Sequence, residues 1–300
     1  MLRHQHHFAA MGSPCEIQLY AGDEQLAWQL IAEAVAEVQR LEARYSRYRP
    51  DSLLSDINRV ASAGGEICVD TETAALLNFA AISHRESGGR FDISAGVLAR
   101  AWQLSSGTAP AQAAIDALLP LVGWHKIDWQ PPRLRFPTPG MQLDLGGIVK
   151  EYAVDRLAAL LMAAGIHSGI VNLGGDIRVL GPQPDGTSWQ VGIRDPRQRD
   201  AVLLTVPMSG GAMASSGDYE RCLVIDGVRY GHILRPDTGW PVHGLAAVSV
   251  IADLCVLAGS ASTLAMLKES DGPAWLLETG LRHLWVDVDG HCGGSLLGER

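Results

Sequence analysis

Apolar and polar residues alternate from Cys15 to Tyr20, the period of a half-buried strand. From Glu24 to Tyr45 the spacing becomes helical, with Ala27, Ile31, Val35, Val38 and Leu41 on one face. The run SRYRPDS from Ser46 breaks that helix at Pro50. A second helix is predicted over Thr71 to His84, stopped by Gly88-Gly89, and a third over Pro110 to Leu121. In MQLDLGGIVKEYAVDRLAALLMAAG, from Met141, the pattern predicts a short strand ending near Leu145 and a Gly146-Gly147 turn. A helix follows and stops at Gly165, in the C-cap position. The second half is richer in strands, with candidates at Ile170 to Asn172, Trp189 to Ile193, Val202 to Val206 and Cys222 to Ile225. Asp226-Gly227 is a hairpin turn of the kind that needs positive φ. A helix from about Leu254 to Lys268 and a β pair around Asp289-Gly290 complete the chain. Strands and helices mix without a regular βαβ alternation or a fixed repeat, so the expected class is α+β.

Composition narrows the function classes. The chain has 300 residues, 47% hydrophobic and 19% charged, which excludes disorder and allows one large domain or two modest ones. A net charge of −9 argues against a general binder of nucleic acid or anionic membrane, since both need basic surface. The most apolar region, Leu245 to Leu267, is cut by Asp253 and dotted with Gly, Ser and Thr, so no membrane span is expected. The first residues lack the apolar core of a signal peptide, and a cytoplasmic location is the expectation. The five cysteines form no C-x-x-C pair and are read as reduced thiols, with neither a disulfide framework nor a zinc site. Glycine is abundant at 33 residues, with Gly-Gly pairs beginning at 64, 88, 146, 174, 210 and 293; lysine is scarce, at Lys126, Lys150 and Lys268 only.

That scarcity draws attention to Lys150, in the first turn of a predicted helix and just after a Gly-Gly turn. A lysine there opposes the helix dipole, while the backbone N–H groups of a helix start attract anions. A phosphate contact accounts for both, although the G-x-x-x-x-G-K-[ST] spacing of a P-loop is absent. NLGGDIRVLG from Asn172 and GAMASSGDYER from Gly211 read as strand, small-residue turn and acidic group. Ser215, Ser216 and Gly217 either donate to phosphate oxygens or form an ordinary Ser-Gly turn. In GHILRPDTGWPV from Gly231, His232 stands near Asp237 and Thr238 and is a candidate base, or else a residue that shapes the turn.

Eight segments in order carry a resemblance: MGS at Met11, SRYRPDSLLSDINR at Ser46, GGRFDISAGVL at Gly88, LDLGGIVKEYAVD at Leu143, NLGGDI at Asn172, SSGDYER at Ser215, HILRPDTG at His232 and ASTLAM at Ala261. Together they resemble the ApbE family, flavin transferases that move FMN from FAD onto a threonine of a target protein. The resemblance implies an ApbE-like, T-fold-related α+β architecture over residues 1–300, a single domain of two interleaved lobes with a flavin-nucleotide cleft between them. It implies FAD contacts at Met11, Tyr48, Arg90, Phe91, Asp92, Asp144, Lys150 and Ile233. It implies that His232 takes the proton of the attacking threonine, and that the acceptor protein carries a D-G-[AS]-T-like sequence.

The resemblance also implies a magnesium ion on the pyrophosphate, held by a backbone carbonyl at Gly147, by Thr263, and by an aspartate four residues before that threonine. At that position this chain has Gly259. Asp253 is six residues earlier, on another face, and is a poor substitute. Glu151 replaces a glycine expected after the lysine; it either supplies a carboxylate from the opposite wall or is a helix-surface residue beside Lys150, and the surface reading is preferred. Ile93-Ser94 likewise replace a Pro-Thr-like pair. The expected metal site is therefore weakened, because hard divalent cations depend on carboxylate charge. Three functions follow: an FAD:protein FMN transferase, an FAD-binding protein that has lost transfer, and an FAD pyrophosphatase.

Overall fold

An eight-stranded antiparallel sheet organises the molecule, and helices cover one of its faces. The computed structural model describes residues 1–102, 107–198, 200–219 and 222–299; Glu220 and Arg221, at the end of the SSGDYER motif, lie outside them. Strands β1 (Leu2–Ala10) and β2 (Ser13–Ala21) form a hairpin whose tip, Met11-Gly12, takes positive φ at both residues. Helix α1 (Glu24–Tyr45) follows, capped by the Asp23 carboxylate on Leu26 N–H and burying Ala27, Leu30, Ile31, Ala34, Val38, Leu41 and Tyr45. Its range matches the periodicity. Helix α2 (Leu53–Ala63) was not expected so close to Pro50; Ser52 caps it and Leu54, Ile57 and Ala61 are its buried face. After β3 (Glu66–Cys68), helix α3 (Thr71–Glu86) runs to the Gly88-Gly89 pair as expected.

Two expectations fail for identifiable reasons. The helix over Pro110 to Leu121 is reduced to α4 (Gln112–Asp116) and a 3-10 turn at Leu119–Leu121, because Pro120 cannot continue an α-helix. Strands β4 (Asp128–Gln130) and β5 (Arg133–Arg135) join β3 in a small sheet. The strand expected to end near Leu145 is an extended segment that joins no ladder: Asp144 N–H donates to the Ile93 carbonyl, and Leu143 is held by a side chain. Asn58 accepts from Leu143 N–H at 2.7 Å and donates to Leu143 C=O at 3.0 Å. Met141, Leu143 and Leu145 are fully buried, so the alternation is real but reflects burial without a strand partner.

Helix α5 (Val149–Ala163) then leads to β6 (Gly169–Leu173) and β7 (Asp176–Gly181), separated by the Gly174-Gly175 turn. Hairpin β8 (Trp189–Arg194) and β9 (Val202–Met208) stands apart from the main sheet, which continues with β10 (Gly211–Gly217). Hairpin β11 (Cys222–Ile225) and β12 (Val228–Gly231) turns at Asp226-Gly227, both with positive φ. Strand β13 (Leu245–Ala252), helices α6 (Cys255–Leu267) and α7 (Gly272–Thr279), and strands β14 (Arg282–Asp287) and β15 (Cys292–Gly293) complete the chain. The large sheet runs β1-β2-β6-β7-β10-β13-β14-β15. Alternation along β10 sorts its two faces: Ala212 and Ala214 join the main core with α1, α5 and α6, while Met213 joins a second core with Trp189, Val191 and Val206. Helices α5 and α6 therefore lie side by side on the same face of the sheet.

Candidate active site

The turn Gly146-Gly147 opens α5 and sets the first group of residues. Asp144 accepts from Gly146 N–H at 2.8 Å and pairs with Arg47 at 2.9 Å, tying the loop after α1 to this turn. Arg47 in turn lies over the Tyr48 ring and donates to its hydroxyl; Tyr48 is 75% exposed, an aromatic face presented to solvent at the rim. The Phe91 ring lies 3.6 Å from where a side chain at Gly147 would begin, which places the ring against this turn. Arg90 is exposed beside it. Asp92, expected to meet the cofactor, is engaged within the protein. One oxygen accepts from Ser94 N–H and Oγ, the other accepts from Trp124 N–H at 2.8 Å and faces His84, and only 3% of the side chain is exposed. Its carboxylate shapes the loop that carries Phe91.

Lys150 answers the question raised by its position at a helix start. Its ammonium pairs with Asp176 at 2.7 Å, in the first residue of β7 and directly after the Gly174-Gly175 turn. Asp176 was not singled out from sequence, although a lysine opposing a helix dipole signals a nearby anion. Burial works to lower the Lys150 ammonium, but Asp176 and Glu151 outweigh it and hold it above its usual range. The hairpin tip joins this group too: a Cβ at Gly174 would fall 2.7 Å from Ser13 Cβ and 3.9 Å from Lys150 Nζ. Met11, at that tip, donates its N–H to Glu42 at 2.8 Å.

Helix α6 supplies the opposite wall. Asp155 of α5 caps it, accepting from Cys255 N–H at 2.9 Å and Val256 N–H at 3.0 Å, which fixes the two helices relative to one another. Thr263 Oγ1 lies 2.9 Å from Ser216 Oγ, which also bonds Ser262 at 2.8 Å; Ser215 Oγ bonds Ser249 at 2.7 Å. These hydroxyls are engaged within the wall. Glu151 is buried at 7% exposure, which corrects the surface reading. It lies against Gly259, where a Cβ would fall 2.5 Å from Glu151 Cγ and 2.9 Å from Oε1, and its Oε2 is buried without a hydrogen-bond partner among the described residues. Burial, with Asp176 adding, raises the carboxyl to about 7, against the pull of Lys150. Asp253 is exposed, before α6 begins, and takes no part in this wall.

His232 is exposed in the segment after β12, whose last residue Gly231 packs against Asp218, two residues beyond Ser216. Ile233 is partly buried against the main core and its carbonyl accepts from Val242 N–H at 2.9 Å. The structure thus gathers the Met11 hairpin, Asp144, Gly147, Phe91, Lys150 and Thr263 around the glycine turns and the α5–α6 seam. The donor types of that seam suit a hard cation in chemistry: the Thr263 hydroxyl, shared with Ser216, the exposed Gly147 backbone, and a buried carboxyl oxygen of Glu151 without a hydrogen-bond partner among the described residues.

Glycine turns at a helix start, a half-buried lysine and a seam of hydroxyl and carboxylate oxygens share this part of the fold, a composition suited to anions. The chain belongs to the ApbE family, whose model matches residues 11–285. It is 32% identical over 281 residues to the FAD:protein FMN transferase of Rhodobacter capsulatus, covering 92% of this chain and 53% of that one. It therefore spans about half the length of that relative. It is 30% identical over 294 residues to the FAD:protein FMN transferase of Treponema pallidum, covering 87% of this chain and 80% of the relative. Among solved structures, the ApbE protein of Thermotoga maritima superposes with a TM-score of 0.91 at 27% identity, covering 99% of this chain and 98% of that one. The apo form of the Pseudomonas stutzeri flavinyl transferase ApbE gives 0.86 at 28% identity, covering 99% and 96%.

Proposed function

We propose that this protein is an FAD:protein FMN transferase. The threonine hydroxyl of an acceptor protein, in a D-G-[AS]-T-like sequence, attacks the phosphorus on the FMN side of the pyrophosphate. The P–O bond to the AMP phosphate breaks, FMN becomes esterified to threonine, and AMP leaves. The observation that carries this reading is the likeness along this chain to proteins of that name, with the glycine turns and the half-buried Lys150 falling within the matched residues.

His232 is exposed and takes the threonine proton as general base. Lys150, held charged beside Asp176, places its ammonium by the glycine turns where the pyrophosphate binds. Asp144, positioned by Arg47, and the backbone around Phe91 and Gly147 line the nucleotide. Met11 and Ile233 supply apolar walls, and Tyr48 and Arg90 stand at the open rim. The Gly147 carbonyl and Thr263 would hold a magnesium ion, which would supply charge neutralisation on the pyrophosphate. Residues 1–300 are read as one domain of two interleaved lobes. The five unpaired cysteines support a reducing compartment, the cytoplasm. Among the described residues no helix is long and apolar enough to cross a membrane.

The test incubates the purified protein with FAD, magnesium and an acceptor protein bearing the threonine, then denatures the mixture and separates the chains. Flavin fluorescence retained on the acceptor chain is the expected result. No retained flavin at millimolar magnesium contradicts the proposal.

A further inference from the structure

The family's magnesium aspartate is missing from α6, yet the wall from which it would project is not empty of carboxylate. Glycine at 259 leaves a gap in α6 of one side chain's depth, and Glu151 fills that gap from α5. A Cβ at 259 would lie 2.5 Å from Glu151 Cγ, closer than real Cβ contacts come, and 3.0 Å from its Cδ, so one of the two side chains must give way. The two departures from the family pattern, glutamate after the lysine and glycine on α6, therefore meet in space and are sterically linked. Glu151 Oε2 is buried without a partner among the described residues, an unusual state for a carboxylate oxygen. Thr263 lies four residues after Gly259 and so on the same helical face.

We propose that Glu151 is the cation-holding carboxylate of this protein, delivered from α5 across Gly259 to the face that carries Thr263. The site has exchanged the helix that supplies its charge while keeping the charge. A cation ligand also accounts for an otherwise costly buried and partnerless oxygen. Asp176 Oδ2, likewise without a hydrogen bond, has the Lys150 ammonium 2.7 Å away, and Asp155 caps the α6 N-terminus, whereas Glu151 Oε2 has neither a hydrogen bond nor an ion pair among the described residues.

The inference rests on the transferase reading for the identity of the cation, but its test needs no transfer. Manganese serves as the probe, and free Mn2+ is measured by electron paramagnetic resonance in titrations of the full chain, with and without FAD. Three proteins are compared: wild type, Glu151→Gln, and the exchange variant Glu151→Gly/Gly259→Asp. Thermal melting without metal checks that each is folded. Wild type binds Mn2+, Glu151→Gln weakens binding by about tenfold or more while staying folded, and the exchange variant regains most of the affinity. Equal binding by wild type and folded Glu151→Gln overturns the proposal, as does a wild type that binds no Mn2+ in either condition. A folded exchange variant no better than Glu151→Gln overturns the linkage between the two positions. If Mn2+ binds through Glu151 but no acceptor is labelled, the transferase reading fails and this one stands. If acceptors are labelled while Glu151→Gln binds Mn2+ normally, the reverse holds.

Discussion

The side chain of Glu151 occupies the space that a Cβ at position 259 would need, with 2.5 Å between that Cβ and Glu151 Cγ. Alanine forms helices better than glycine by roughly 1 kcal/mol, so Gly259→Ala in an unobstructed helix would stabilise. Here overpacking costs about 1–3 kcal/mol and outweighs that gain. Gly259→Ala is expected to lower the urea midpoint in the wild type and to raise it in a Glu151→Ala background. A double-mutant cycle measures the coupling; additive effects would mean the two side chains are not in contact.

Lys150 and Asp176 pair at 2.7 Å, the carboxylate buried at 2% exposure and the lysine half-buried. Removing the lysine leaves the carboxylate without its counter-charge, a change that costs roughly 3–5 kcal/mol at such sites. Burial already pushes the Asp176 carboxyl upward, so it escapes part of that cost by taking a proton, and the lower end of the range is expected. Lys150→Met should therefore be clearly destabilised in urea unfolding, and Lys150→Met/Asp176→Leu less so. Both should lose FAD affinity. A single variant as stable as wild type would contradict the ion pair.

Arg40 links helices α1 and α3 by bonding Glu37 at 2.8 Å and Glu72 at 2.7 Å. Hydrogen bonds from Arg40, opposed by partial burial, hold both carboxyls below the ordinary value of 4.5. A depressed folded value means the unfolded chain binds protons first as pH falls. The stabilisation is thus present above pH 4.5 and is lost as pH drops through the lower folded values. Because Arg40 is 43% exposed, its contribution is about 1 kcal/mol at neutral pH. Arg40→Met should lose that amount at pH 7, converge with wild type in acid, and show a flatter acid limb; a uniform loss at every pH would contradict the pairing.

Cys68 and Cys292 are exposed, while Cys15 and Cys255 are buried and their thiols are raised by burial. A thiol reagent at pH 8 should label Cys68 and Cys292 in the native protein and reach Cys15 and Cys255 only after denaturation. Peptide mass mapping distinguishes the two sets. Early labelling of Cys255 would place α6 elsewhere.

Helices α1 and α3 were legible because a cap, a periodic apolar face and a stop signal agree. Strand β13 was not, since seven of its eight residues are buried and alternation vanishes when both faces are covered. Residues 141–145 misled in the opposite direction, their alternation arising from burial without a ladder. At the site, Lys150 stood out because lysine is scarce and its place at a helix start is uncomfortable. Glu151 did not: the residue beside a lysine on a helix is ordinarily in water. Only the packing of α5 against a glycine of α6, far along the chain, buries it. The loss at Gly259 was visible locally, whereas its partner depends on tertiary contact.

The transfer reaction ties AMP release to flavin attachment, and their ratio is its most direct test. With FAD, magnesium and an intact acceptor, AMP released should equal flavin bound to the acceptor. Changing the acceptor threonine to alanine should abolish both. AMP release that continues unchanged without the threonine would mean hydrolysis of FAD by water, and absence of AMP in every arm would mean a protein that binds FAD and goes no further.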